Sequence, residues 1–94
     1  IIVDSAVYVD TRDGAFAEAG DLLIPVAEGR YTLDRVVGEI GEVVAGTVSG
    51  RDALPEGAVT VYKSVGAAFL DAATARLVVD LARARGIGHE FRFL

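Results

Sequence analysis

The chain of 94 residues has no cysteine, methionine or tryptophan and only one histidine, His89. Without cysteine it has no disulfide framework, no thiolate nucleophile and no thiolate-bound metal. A single histidine cannot form a histidine cluster, so imidazole-rich metal centres are excluded as well. We therefore predict no metal site, and we expect His89 to be structural or exposed.

Positive charge is also scarce. Nine Lys and Arg residues stand against fourteen Asp and Glu residues, which gives a net charge of −5 at pH 7. An acidic chain with scattered charges does not attract nucleic-acid phosphates or anionic lipid. No apolar run approaches the roughly 18 residues that span a bilayer, and no signal-peptide pattern is present. We expect neither nucleic-acid nor membrane partners, and we expect a cytoplasmic location.

Apolar residues, in contrast, are abundant. They make up 52% of the chain, and the mean hydropathy is +0.43. A chain of this length forms one small domain, which buries about 65% of its unfolded surface. A chain this apolar usually buries further surface against something else. Because the sequence also begins at Ile1, almost directly in a predicted strand, we expect it to be the C-terminal part of a larger protein.

The first third of the sequence predicts a strand and a short helix. Residues 6–10 alternate small and β-branched or aromatic side chains and end in an acid, which is typical of a buried strand. A helix should follow as far as Ala19, with Asp13 as its cap and Gly20 as its end. Residues 21–25 are apolar and closed by proline, so we expect a connector packed on the core.

The middle third predicts a second helix over residues 32–45, with Thr32 as its N-cap and Gly46 as its end. Two glycines, Gly38 and Gly41, would each weaken this helix by about 1 kcal/mol relative to alanine, or would allow close backbone packing. The apolar positions at helical spacing are Val36, Val37, Ile40, Val43 and Val44.

The last third predicts a strand at residues 58–62, a helix over 64–85 and a half-exposed final strand at 89–93. An alanine-rich stripe along the helix should be core or interface. Strands joined by helices indicate an α/β fold with a parallel βαβ sheet. Ser64 would cap the helix at the end of a strand, with the Lys63 cation beside it, where such sheets bind phosphates and dinucleotides.

Three blocks of the sequence resemble the ornithine cyclodeaminase/mu-crystallin family. Residues 17–25 read AEAGDLLIP. Residues 39–46 read EIGEVVAG and are followed by Gly50-Arg51. Residues 59–66 read VTVYKSVG and precede Asp71-Ala72. The blocks follow the family order and span most of the chain, so the resemblance is specific.

The resemblance implies an NAD(P)-dependent enzyme with a Rossmann domain and a separate substrate and dimerisation domain. Residues 1–63 would be the C-terminal part of the Rossmann domain, and residues 64–94 a long helix and strand returning to the other domain. Ser64, with Lys63 and Val65 as neighbours, would contact NAD or NADP. The substrate would be an amino acid or a cyclic imine, turned over by a dehydrogenase, cyclodeaminase or ketimine reductase, and the intact protein would be a homodimer.

Much of the family pattern is missing, because the chain has no G-x-G-x-x-G and no upstream catalytic acid, arginine or lysine. We therefore predict no catalytic residue and no activity for these residues alone. Lys63 stands where cyclodeaminases often carry Asp, which favours a dehydrogenase or reductase. Leu70 replaces a common polar residue and indicates a local packing change. A non-catalytic mu-crystallin-type binder and a stand-alone α/β interaction module remain the alternatives.

Several residues also have a plainer interpretation. Ser64 by itself is a helix cap and Lys63 a surface residue. Asp10 resembles the ribose-binding acid of dinucleotide folds, but no glycine loop precedes it, so a capping or turn role is favoured. Glu39 and Glu42 are interpreted as solvated or paired with arginine.

Overall fold

The computed structural model describes all 94 residues and contains a three-stranded parallel sheet. Strand β1 (Ala6–Val9) lies in the centre, between β2 (Val36–Glu39) and β3 (Thr60–Lys63). Val9 is level with Glu39 on one side and with Lys63 on the other, so all three strands end at the same edge. The predicted α/β class with a parallel sheet is confirmed.

Four helices accompany the sheet: α1 (Arg12–Glu18), α2 (Gly20–Ala27), α3 (Ile40–Ala45) and α4 (Ala68–Arg85). Single 3₁₀ turns lie at Ile2–Asp4, Leu33–Arg35 and Arg51–Ala53. No helix combines the length and the apolar character needed to cross a membrane.

The core lies between one face of β1 and the first two helices. Val7 and Val9, two positions apart on the strand, are fully buried together with Leu22 of α2. Burial of each such side chain contributes about 1.5–3 kcal/mol. The other members of this cluster are Ala15, Ala19, Tyr31 and Val36. Tyr8 occupies the intervening strand position, and its hydroxyl donates to the Ser49 carbonyl at 3.0 Å.

Two details of the predicted first helix are wrong. Its cap is Thr11, whose hydroxyl accepts from the Gly14 N–H at 3.2 Å, and not Asp13. The first helix does end close to the predicted place, with Glu18 as its last residue and Ala19 as its C-cap, but Gly20 is not a glycine stop because it is the first residue of α2. The predicted connector at 21–25 is therefore helical, and α2 ends two residues beyond Pro25.

The predicted helix over residues 32–45 is also wrong, because β2 occupies its centre, with a single 3₁₀ turn before it and the short helix α3 after it. Val36 and Gly38 are buried while Val37 is exposed, which is the alternation of a strand. A methyl group on Gly38 would lie 2.8 Å from Val48 Cγ1, so glycine permits close packing there. Gly46 ends α3 in the left-handed conformation, as predicted.

The predicted strand at 58–62 corresponds to β3, but the following helix begins later than expected. Residues 64–67 form a loop, and α4 is capped at Ala67 instead of Ser64. Gly66 has a φ of +96°, which a right-handed helix does not accommodate. Residues 89–93 form no strand, since no neighbouring strand pairs with them.

Helix α4 has no buried residue, so its alanine stripe is not part of the core of this chain. Its exposed apolar side chains are Phe69, Leu77, Val78, Val79 and Leu81. The molecule measures 54 × 32 × 21 Å. Gly86 ends the helix in the left-handed conformation, as predicted.

Candidate functional site

The candidate site lies at the edge where β1 and β3 end. Asp10 follows β1, and the segment Ser64–Gly66 follows β3. Because the two strands are parallel and Val9 is level with Lys63, the residues that follow them are brought together. In open parallel sheets, ligands bind outside this carboxyl edge.

Asp10 connects the two chain segments through its carboxylate. One oxygen, Oδ1, accepts from the Thr11 N–H at 2.8 Å. The other, Oδ2, accepts from the Ser64 hydroxyl at 2.7 Å, the Val65 N–H at 3.0 Å and the Gly66 N–H at 2.9 Å. Both oxygens therefore accept hydrogen bonds from within the protein, one at Oδ1 and three at Oδ2.

The carboxylate is buried, with only 3% of Asp10 exposed. Burial alone raises the pKa of Asp10, but the hydrogen bonds from Ser64, Thr11, Gly66 and Val65 together outweigh it and leave this pKa below its ordinary value. Asp10 thus carries its negative charge at neutral pH. The expected turn-holding role is confirmed, although the turn it holds lies 56 positions away at Gly66.

Ser64 is exposed at this edge and is not a helix cap. Its hydroxyl donates to Asp10 and accepts from the Gly66 N–H at 3.2 Å. These bonds determine the direction of the hydroxyl and the path of the backbone through Gly66. The loop is therefore held by hydrogen bonds within the chain.

Lys63 points toward α2, where its Nζ lies 2.5 Å from Asp21 Oδ2. Asp21 is 61% exposed, and ion pairs of this kind contribute only about 0–1 kcal/mol. The Lys63 cation is therefore already paired, but weakly.

Val65 is half-buried and packs against the core cluster. A methyl group on Gly14 of α1 would lie 3.0 Å from Val65 Cγ2 and 2.9 Å from Thr11 Oγ1. The absence of a side chain at Gly14 therefore allows the loop after β3 to sit against the first turn of α1.

An ion-pair network lies at the end of β2. The Arg12 N–H donates to Glu39 Oε1 at 2.7 Å, and Arg12 Nη1 donates to Glu42 Oε2 at 2.8 Å. Glu42 Oε2 also accepts from the Glu39 N–H at 2.8 Å, as part of a capping box at the start of α3. The Glu39 N–H and the Arg12 side chain lower the pKa of Glu42. Pairing of these two glutamates with arginine is confirmed.

The remaining candidates lie elsewhere. His89 is exposed in the segment after α4 and is remote in sequence from both networks. No group of three or more His, Cys, Asp or Glu side chains is placed to hold a metal ion. Sequence reasoning missed the buried carboxylate of Asp10 as the organiser of the Ser64 loop. The only available signal was an acid directly after a buried strand.

A model of the ornithine cyclodeaminase/mu-crystallin family matches residues 1–86. A Δ1-pyrroline-2-carboxylate reductase from Bacillus cereus is 36% identical over 87 residues, which cover 93% of this chain and 26% of that protein.

Two solved structures are similar as well. The Thermococcus litoralis Δ1-pyrroline-2-carboxylate reductase in complex with NADH and L-proline superposes with a TM-score of 0.79 at 36% identity, covering 96% of this chain and 27% of that one. An archaeal alanine dehydrogenase dimer with bound NAD superposes with a TM-score of 0.66 at 26% identity, covering 97% of this chain and 28% of that one. The chain thus spans about a quarter of the length of the relatives that it matches. Its sequence and fold show that it belongs to the ornithine cyclodeaminase/mu-crystallin family.

Proposed function

We propose that the whole protein is an NAD(P)-dependent oxidoreductase acting on an amino acid or a cyclic imine, and that this chain supplies one edge of the dinucleotide site. The observation that carries the proposal is the exposed Ser64 hydroxyl at the carboxyl end of β3, held by the buried Asp10 carboxylate. This is the edge at which parallel α/β sheets bind dinucleotides. Both similar structures contain a nicotinamide dinucleotide, and one also contains L-proline.

When bound, the dinucleotide supplies hydride transfer at the carbon that carries the nitrogen. The residues of this chain bind the dinucleotide and orient it. Ser64 offers a directed hydroxyl, and Val65 anchors the loop on α1. Lys63 lies beside them and is paired with Asp21, but its ammonium group has three hydrogens to donate, so this pair does not exclude a contact with a ligand. None of these residues is proposed to take part in the chemical step.

Reduction of an imine or dehydrogenation of an amino acid is favoured over cyclodeamination. Lys63 stands where cyclodeaminases often carry Asp, and the similar proteins are a Δ1-pyrroline-2-carboxylate reductase and an alanine dehydrogenase. We propose a cyclic imine or its amino-acid product as the substrate class. The affinities of the whole protein for NADH and NADPH distinguish NAD from NADP as its dinucleotide.

We further propose that residues 1–63 belong to the dinucleotide-binding domain and that residues 64–94 return to a substrate and dimerisation domain. The support is the contrast between the buried central strand β1 and helix α4, which has no buried residue and exposes large apolar side chains. An exposed apolar helix of this kind is typical of a surface that packs on another domain or subunit. A homodimer and a cytoplasmic location remain predictions.

The test is the affinity of the whole protein for NADH and NADPH. Ser64→Ala should weaken binding of the preferred dinucleotide about fivefold, since it removes one hydrogen bond of about 1 kcal/mol. Ser49→Ala is the matched control, because Ser49 is also exposed and its side chain forms no hydrogen bond. Unchanged affinity in Ser64→Ala would contradict the proposal. Turnover of Δ1-pyrroline-2-carboxylate by the same preparation separates an enzyme from a non-catalytic binder.

A further inference from the structure

The hydrogen-bonding capacity of Ser64 is largely used inside the protein. A serine hydroxyl has one hydrogen to donate and two lone pairs to accept. The carboxylate of Asp10 is an acceptor only, so the 2.7 Å bond between them consumes the hydrogen of Ser64. The Gly66 N–H occupies one lone pair at 3.2 Å. One lone pair of an exposed oxygen is left for a bound molecule.

We propose that Ser64 is an obligate hydrogen-bond acceptor toward its ligand, so that the group bound there is an N–H or O–H donor and not a phosphate or carboxylate oxygen. The proposal rests on the proposed function in one respect, namely that Ser64 faces the dinucleotide or the substrate. It makes Asp10 a positioning residue, which acts on the ligand only through Ser64.

The backbone of the same loop supports this assignment. The N–H groups of Val65 and Gly66, which would otherwise be natural phosphate donors, both point at Asp10 Oδ2. A buried negative charge directly behind the loop also disfavours an anion at its surface. In this arrangement, the N–H groups of Val65 and Gly66 are therefore not available to bind a phosphate.

The Asp10 carboxylate also makes Ser64 a better acceptor. A hydroxyl that donates to an anion is polarised, which increases the negative charge on its oxygen. The contact is thus best suited to a strongly polar donor. Two such donors are available in the proposed reaction, namely the carboxamide N–H of the nicotinamide dinucleotide and the protonated nitrogen of the imine or amino acid.

Two matched ligand pairs test the proposal on the whole protein by calorimetric titration. The first pair is NAD⁺ and nicotinic acid adenine dinucleotide, in which a carboxylate replaces the carboxamide donor. The second pair, added to the NADH-bound protein, is L-proline and tetrahydrofuran-2-carboxylate, in which a ring oxygen replaces the ring nitrogen. Each pair is measured for the natural protein, for Ser64→Ala and for Ser64→Thr, which retains a hydroxyl.

The expected result is that, in one of the two pairs, the natural protein binds the donor-bearing member at least about fivefold more tightly. Ser64→Ala should remove that preference by weakening the donor-bearing member alone, and Ser64→Thr should retain it. The pair that responds identifies whether the donor belongs to the cofactor or to the substrate. If Ser64→Ala weakens both members of a pair equally, Ser64 is not an obligate acceptor, although it still lies at the ligand. If none of the four affinities changes, Ser64 does not face a ligand, and the proposed function fails as well.

Discussion

The Ser64 hydroxyl lies 2.7 Å from Asp10 Oδ2, although the two residues are 54 positions apart in the sequence. This bond joins the ends of two adjacent parallel strands at the edge where such sheets bind ligands. The same carboxylate oxygen accepts from two backbone N–H groups of the Ser64 loop. A single buried charge therefore determines both the position and the polarity of the exposed hydroxyl.

Asp10→Asn should destabilise the protein by about 2 kcal/mol, because an amide has only one oxygen to serve four donors and directs an N–H group at one of them. Urea unfolding followed by circular dichroism measures the change. Asp13→Asn is the matched control, since Asp13 is exposed and its side chain forms no hydrogen bond or ion pair. Equal stability of the two variants would contradict the role of Asp10.

Acid should lower the free energy of unfolding by protonating the Asp10 carboxylate. The hydrogen bonds on the carboxylate hold the pKa of Asp10 below its ordinary value in the folded state. Its contribution to stability is therefore complete above the unfolded-state pKa of about 3.9, and it is lost as the pH falls through the lower folded-state pKa. The free energy of unfolding, measured between about pH 5 and pH 2, should decline less steeply in Asp10→Asn than in the natural protein. Parallel pH profiles would contradict this prediction.

Gly14→Ala should weaken dinucleotide binding without touching Ser64. Alanine normally stabilises a helix relative to glycine by about 0.5–1 kcal/mol. Here, its methyl group would lie 2.9 Å from Thr11 Oγ1 and 3.0 Å from Val65 Cγ2, so the cap and the loop must shift. Gly20→Ala is the control, because its methyl group meets only Ile24 Cδ1 at 3.8 Å. Titration of the whole protein with NADH should show a weaker affinity for Gly14→Ala alone. Equal affinities of the two variants would contradict the proposed link between α1 and the loop.

Gly38→Ala and Gly41→Ala should change stability in opposite directions. The methyl group at Gly38 would lie 2.8 Å from Val48 Cγ1 and 3.2 Å from Glu42 Oε2, which should cost about 1–3 kcal/mol. The methyl group at Gly41 meets nothing within 4 Å and should stabilise α3 by up to about 1 kcal/mol. Thermal unfolding measures both, and a stabilising Gly38→Ala would show that the packing against Val48 is not restrictive.

The parallel sheet was predictable from the sequence because β1 and β3 are short apolar runs that end at polar residues. Strand β2 was not predictable. Its two valines fall on a helical stripe with the residues of α3, and only pairing with β1 selects the strand. Residues 89–93 show the same dependence on pairing. Their alternation of polar and aromatic side chains indicates a strand, but no strand of this chain pairs with them.

The candidate site was predictable in part. Ser64 was identified from its place at the end of a strand and from the family resemblance, but the cap role assigned to it was wrong. A local rule assigns a serine before a helical pattern to the N-cap, whereas Asp10 draws the hydroxyl and two N–H groups away from the helix. Such a long-range contact leaves no periodic signal in the sequence.

The most direct test of the account is a structure of the whole protein with its dinucleotide bound. The account predicts that Ser64 Oγ lies within hydrogen-bond distance of a donor atom on the dinucleotide or on a co-bound substrate, with the Asp10 contact intact. A dinucleotide bound elsewhere, or a phosphate oxygen on Ser64 with Asp10 displaced, would contradict it.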